Sequence, residues 1–317
     1  MMAIMYQHSC MWRYLLNPMK CVVLVFGESH RKQQALCLQR TWKLGDNLVK
    51  EATEHTHVGI HLQTTNSLQT STSQACQKLK SSLISILGPG ITFNGWNPLT
   101  AKHLYETVCL PTALYGCELW YNLTKSQIHN LEIARRFCVK TIQRLPKIVR
   151  TDICNAMLGF ADIKSVVNYR KLLFLRRLIF TDDNKTVKLI LTARLNDFIT
   201  NCSKSSGYIA DIIHILHEYD IFHVLEIYLQ SGVFPSVCAW KHLVKNSISN
   251  KKELLWYSRI SLDITFNRFR LIQTTCNIPS FLWTAARIHQ KNLHKFGFLA
   301  KLSCVPQWHR AVQCAMV

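Results

Sequence analysis

Two kinds of residue in this chain have the type and spacing to do chemistry: carboxylates standing side by side, and cations recurring along helices. Phe180-Thr181-Asp182-Asp183 places two acids next to each other, and paired carboxylates hold divalent ions in many phosphoryl-transfer sites. Their setting speaks for a different role. The pair follows a basic helical run, IKSVVNYRKLLFLRRLI, and precedes Asn184 and Lys185 at the head of NKTVKLILTARLNDFI. The expectation is therefore an acidic loop capping the next helix, where Asp is favoured. The cations are denser. Lys125 is followed by Arg135, Arg136, Lys140, Arg144, Lys147, Arg150, Lys164, Arg170, Lys171, Arg176 and Arg177, against three acids, Glu132, Asp152 and Asp162. Joined to apolar residues at helical spacing, such a set suits a polyanion that is held by its backbone and not read by sequence. The residues from Arg135 to Arg177 are the expected phosphate contacts.

Other candidates carry less. His214, His217 and His223 lie near Glu218 and Asp220, with His214 and Glu218 one helical turn apart. With neither an H-E-x-x-H spacing nor a third ordered ligand, surface histidines are expected. Cys304, His309 and Cys314 supply three of the four ligands a structural zinc wants, without a C-x-x-C pair, so no metal or other cofactor is expected of this chain. Tyr115, Trp120 and Tyr121 stand among Leu110, Leu114, Leu119 and Leu123, a setting that favours core packing over base stacking.

The elements that must position the cations are helical. Leu99 to Cys117 reads as a helix interrupted at Pro111, which removes a backbone donor. Thr124 and Gln127 form a capping box for a helix that runs to about Arg144 and is stopped by Pro146. Asp162 is the expected cap of the helix through Ile179. Upstream, residues 3–16 read as a helix stopped by Asn17-Pro18, and Cys21 to Phe26 as a buried strand. Thr41 to Lys50 reads as a hairpin about Gly45-Asp46-Asn47, and Thr56 to Leu62 as a further strand. The polar stretch QTTNSLQTSTS (63–73) is the expected linker, followed by a helix over 74–87 that Gly88-Pro89-Gly90 ends. Beyond Thr200 the pattern stays helical, with further cations at Lys241, Lys245, Lys251, Lys252, Arg268 and Arg270.

Composition bounds the partners. The formal charge of +20 and pI of about 9.6 point to an acidic partner, nucleic acid before anionic membrane. Hydrophobic residues make up 48%, enough to exclude a compositionally disordered chain. The 13 cysteines are odd in number and lack C-x-x-C pairs, so they are expected to be reduced and mostly small buried apolar groups. CVVLVF is too short for a signal-peptide core, and no apolar run approaches the ~18 residues of a membrane span. An intracellular protein, cytoplasmic or nuclear, is expected, and the sequons at Asn122, Asn184 and Asn201 are then chance matches.

Three runs, LPTALYGCELW, LTKSQIHNLEIARRFCVKTIQRLP and LGFADIKSVVNYRKLLFLRRL, resemble the thumb and post-thumb region of LINE-type (non-LTR) retrotransposon reverse transcriptases. WRYLLNPMKCVVLVFGES and RTWKLGDNLVKEATEHTHVGI resemble the end of the palm, and the likeness covers about residues 3–200. It implies a palm remnant over 1–62, the linker over 63–73, a helical thumb-like nucleic-acid-binding region over 74–200 and a helical C-terminal region over 201–317. The fold class is then mainly α with a small α+β N-terminal part. Gly59 and Ile60 match the family's primer-grip hairpin, although His55, His57 and His61 depart from its usual aromatic and leucine residues. The family's Mg²⁺-binding carboxylates, one in a Tyr/Phe-x-Asp-Asp hairpin, lie upstream of the helix with which this sequence opens. The resemblance thus implies a truncated RNA or DNA binder that lacks the polymerase's catalytic residues; the alternatives are a domesticated non-enzymatic nucleic-acid-binding or protein-interaction module and a translated fragment without function.

Overall fold

The structure, a computed structural model, describes residues 2–262 apart from 15, 38, 66, 88–97, 144 and 201–206. Of the described residues 68% are helical and 8% strand, which is the mainly α chain with a small α+β N-terminal part that the sequence implies. It divides into two compact units, Met1–Thr72 and Ser73–Val317.

The first unit opens with α1 (Met2–Met11), which ends several residues before Asn17-Pro18 because Arg13 turns into the left-handed region at φ 54°. Asn17 instead caps a single 3₁₀ turn, Pro18–Lys20, its side chain accepting from the Met19 N–H. The expected buried strand over Cys21 to Phe26 is a correction: β1 spans only Val22–Val23, half-buried, and Phe26 is exposed. After α2 (His30–Cys37), β2 (Trp42–Leu44) and β3 (Asn47–Glu51) form the expected hairpin, paired antiparallel, while β1 joins β3 in parallel. The hairpin turn is closed by Gly45 at φ 62°, with the Tyr6 ring against its α-carbon where no side chain fits. Its indole aids the register, Trp42 Nε1 donating to Glu51 at 2.7 Å across the pair.

The segment read as one strand from Thr56 to Leu62 is two. β4 (Glu54–His57) and β5 (Ile60–Gln63) pair antiparallel about Val58 and Gly59, both at positive φ, 50° and 78°. A two-residue loop with both central residues left-handed matches the twist of the flanking strands and asks for Asn-Gly or Asp-Gly. Gly59 meets the demand; Val58, β-branched and 70% exposed, does not. The linker is also shorter than 63–73, since α3 (Gln69–Leu87) begins within it and carries the chain across the division between the units.

The second unit continues with α4 (Pro98–Leu104), a π-helical turn (Tyr105–Cys109) and α5 (Leu110–Ala113). Pro111 causes the widening: its ring would crowd the carbonyl four residues back, and the preceding Leu110 N–H reaches Tyr105 instead. A left-handed Gly116 then leads into a 3₁₀ turn, Cys117–Leu119. α6 (Lys125–Gln143) carries the capping box in full, Thr124 N–H donating to Gln127 Oε1 at 3.0 Å and Gln127 N–H to Thr124 Oγ1 at 3.2 Å. α7 (Thr151–Leu158) ends on left-handed Gly159. Asp162 caps α8 (Ile163–Ile179) as expected, accepting from the Ser165 N–H at 3.0 Å and the Ser165 hydroxyl at 2.7 Å. α9 (Thr186–Thr200), α10 (Tyr208–Glu218), α11 (Phe222–Ser231) and α12 (Val237–Leu262) complete the described chain.

Residues on either side of 200 share one core. Leu172, Leu175, Leu191, Ile212, Leu216 and Trp240 pack together, and the buried Trp240 indole donates to the Leu172 carbonyl at 2.9 Å. Cys109, Cys117, Cys138 and Cys154 are buried, as expected of small apolar groups, and burial pushes the Cys117 and Cys138 thiols up to about 12. Cys10 and Cys238 are exposed instead. Among the described residues no helix is long and apolar enough to cross a membrane.

Replacing Val58 by Asn completes the turn chemistry without touching the sheet. We expect the hairpin to gain about 1 kcal/mol, read as a higher urea midpoint for the unit carrying Trp42. A midpoint that falls would show that the Val58 side chain contributes more than its backbone costs.

Candidate nucleic-acid interface

The expected phosphate contacts part company once α6 and α8 are packed. Arg135 is 1% exposed. Its Nε and Nη2 donate to the two oxygens of Glu132 at 2.9 and 2.6 Å, and Nη2 also to Asn155 Oδ1 at 2.9 Å. Burial works to lower its pKa, and the Glu132 carboxylate outweighs it, so the guanidinium stays charged. Lys171 is 2% exposed and its ammonium donates to Asp211 at 2.7 Å. These two are corrections: neither reaches solvent, and a polyanion meets neither. The signal was present in the helical phase. Arg135 falls four after Leu131 and three before Cys138, and Lys171 four after Val167 and four before Leu175, all buried positions.

Other cations are spent on backbone carbonyls. Lys140 donates to Lys147 O at 2.6 Å across the end of α6, and Arg170 to Leu114 O at 3.1 Å. Arg176 donates to Pro235 O at 3.0 Å, with its guanidinium 4.1 Å from the Phe180 ring centroid. Lys147 and Arg177 are exposed, while Arg144 lies outside the described residues. Gly59 and Ile60 sit in the first unit, at the tip and first rung of the β4–β5 hairpin, Ile60 opposite His57.

Three of the expected contacts do come together. Arg136 on α6, Arg150 before α7 and Lys164 on α8 line a cleft of about 580 Å³ whose other walls are α12 and the end of α10. From α12 come Lys251, Lys252 and Arg259, on one stripe with Ile248, Leu255 and Trp256. Spacings of three, four and eight residues put that stripe on one face of α12. Lys251 and Lys252 were marked by sequence as a basic cluster; Arg259 was missed, and its place eight residues after Lys251 was the available clue. Four acids also line the cleft, Glu132, Asp152, Asp162 and Glu218, so six cations face four carboxylates and the excess is positive. Two of these acids are committed to the scaffold. Asp162 caps α8, and Glu132 holds Arg135 while accepting the Ile163 N–H at 3.2 Å.

The acidic pair lies elsewhere, in the exposed loop before α9: Asp182 is 2.7 Å from Lys185, and Asp183 is 3.9 Å from Lys188. The salt-bridging Lys185 ammonium lowers the Asp182 pKa. His214, His217 and His223 are exposed, with the His217 ring stacked on Phe222. Trp120 is buried as expected, whereas Tyr115 is 53% exposed. Among the described residues no three His, Cys, Asp or Glu side chains are grouped to hold a metal; Cys304, His309 and Cys314, like Arg268 and Arg270, lie outside those residues. No family profile, no characterised protein and no solved structure matches the chain.

Neighbouring arginines on α6 should therefore separate in experiment. Arg135→Ala strands a carboxylate and is expected to destabilise the fold by about 3–5 kcal/mol in urea unfolding. Arg136→Ala should cost less than about 1 kcal/mol. Equal losses would contradict the assignment of Arg135 to the scaffold.

Proposed function

We propose that this chain binds nucleic acid through the phosphate backbone, without reading sequence, along the cleft between α6, α7, α8 and α12. The observation that carries the reading is the convergence of Arg136, Arg150 and Lys164 with Lys251, Lys252 and Arg259 on one concave surface. Six cations from separate elements so placed match the spaced negative charges of a nucleic-acid strand better than a single anion. The resemblance of residues 3–200 to the palm end, thumb and post-thumb of LINE-type reverse transcriptases supports the same partner. In this reading residues 3–200 supply binding and not polymerisation, since the part of that family they resemble holds the strand and its Mg²⁺-binding carboxylates lie in another part.

Phosphate contact has a salt signature that apolar contact lacks. With a fluorescein-labelled single strand and the matching duplex, log affinity should fall against log salt with a slope of about −3 or steeper. It should be insensitive to base sequence, and weaken in Arg136→Ala and in Lys251→Ala/Lys252→Ala. A flat salt profile would turn the reading toward a protein partner, for which the exposed Val187, Leu189 and Ile190 of α9 are the candidate surface. Mg²⁺-dependent extension of an annealed primer by the purified chain would overturn the non-catalytic part.

A further inference from the structure

The cleft's cations are not idle. The Lys164 ammonium lies 2.5 Å from Glu218 Oε1, joining α8 to the end of α10. Asp152 takes two partners, Arg259 of α12 at 2.8 Å and Arg150 at 3.8 Å. Because carboxylate and phosphate offer a guanidinium or ammonium the same anionic oxygens, a nucleic-acid strand entering the cleft must take these cations from acids that already hold them.

We propose that Asp152 and Glu218 are built-in competitors of the strand, an electrostatic brake that sets the affinity and salt dependence of the cleft; this rests on the binding reading above. Among the cleft's four acids these two are free for the role. Glu132 and Asp162 have their oxygens engaged by Arg135 and by backbone N–H groups, and moving them would unmake α6 and α8. The braking pairs are partly solvated, with side chains of Asp152 and Glu218 29% and 23% exposed and their cationic partners between 39% and 60%. Pairs of this exposure are weak and exchangeable. Asp152 has the larger effect of the two, since a single carboxylate occupies two cations drawn from distant parts of the chain.

The brake makes removal of a residue strengthen binding. With the full chain and a fluorescein-labelled oligo(dT) strand followed by anisotropy, Asp152→Asn should bind about tenfold tighter than wild type, and Glu218→Gln about threefold tighter. The salt slope of Asp152→Asn should steepen by about one or more. Asp197→Asn is the control, for it removes the same charge and releases Arg194, 4.0 Å away, at a place that does not line the cleft. Its gain should stay below about twofold. In an Arg150→Gln/Arg259→Gln background the Asp152→Asn gain should vanish. Gains no larger than that of Asp197→Asn, or a gain that survives loss of both arginines, overturn the brake while leaving the cleft as a binding site. Absence of salt-dependent binding in wild type and variants alike overturns the binding reading and the brake with it. Should Asp152→Asn melt early through loss of an acid in the first turn of α7, Glu218→Gln carries the test alone.

Discussion

Glu132 accepts three hydrogen bonds where α6, α7 and α8 meet. Two come from the buried guanidinium of Arg135 and one from the backbone N–H that opens α8. Arg135 passes the connection to Asn155 on α7, so one carboxylate and one guanidinium fix three helices relative to one another. Burying such a pair is not by itself a route to stability, because desolvation consumes most of the Coulomb gain. Its effect is geometric. An apolar contact at this junction would tolerate sliding along the helix axes, whereas the bonds from the Ile163 N–H to Glu132 and from Arg135 to Asn155 tie α8 and α7 to α6 at one register. The floor of the cleft, and with it the positions of Arg136 and Lys164 on the helices so joined, depends on that register.

α8 distributes the constraint. Its buried residues include Ile163 and Val167, with Leu172 and Leu175 in the cluster completed by α9 to α12. Polar contacts anchor it on each side as well: Lys171 to Asp211 of α10, Asn168 to the Tyr219 hydroxyl at 3.3 Å, Arg170 to the turn after α5 and Arg176 to the segment before α12. A helix so basic would usually be read as a solvated surface. Here Lys171 is paired with a carboxylate, Arg170 and Arg176 donate to carbonyls, Lys164 pairs with Glu218 at the cleft, and Arg177 is left toward solvent.

The parts of this fold legible in sequence are those decided within a few residues. The capping box at Thr124 and Gln127, the Asp162 cap and the interruption at Pro111 follow from backbone donors and acceptors that a neighbouring side chain must satisfy or block. What sequence position alone left open is settled by tertiary contacts. Cys21 to Phe26 has the β-branched composition of a buried strand, yet only Val22 and Val23 find a partner in β3. Thr56 to Leu62 reads as one strand because Val58 gives no turn signal, and the chain turns there all the same at Gly59. Arg259 joins the cleft only because α12 packs on α8, a contact that spacing within α12 hints at and cannot specify.

The same distinction governs how a large net charge is to be read. A formal +20 describes the chain at a distance, where it steers encounter with any polyanion through a field that salt screens beyond about a Debye length. At contact the relevant number is smaller and local. Of the cations between Lys125 and Arg177, Arg135 and Lys171 are sealed in the interior, and Lys140, Arg170 and Arg176 hold carbonyls. Arg136, Arg150 and Lys164 in the cleft lie close to carboxylates. In the proposed reading, a strand arriving here would be drawn by the whole charge but held by what the local acids concede, so that affinity and on-rate would be set by different residues. Substitutions of distant surface lysines and of cleft carboxylates are therefore expected to act on separate rate constants, the former on association and the latter on release.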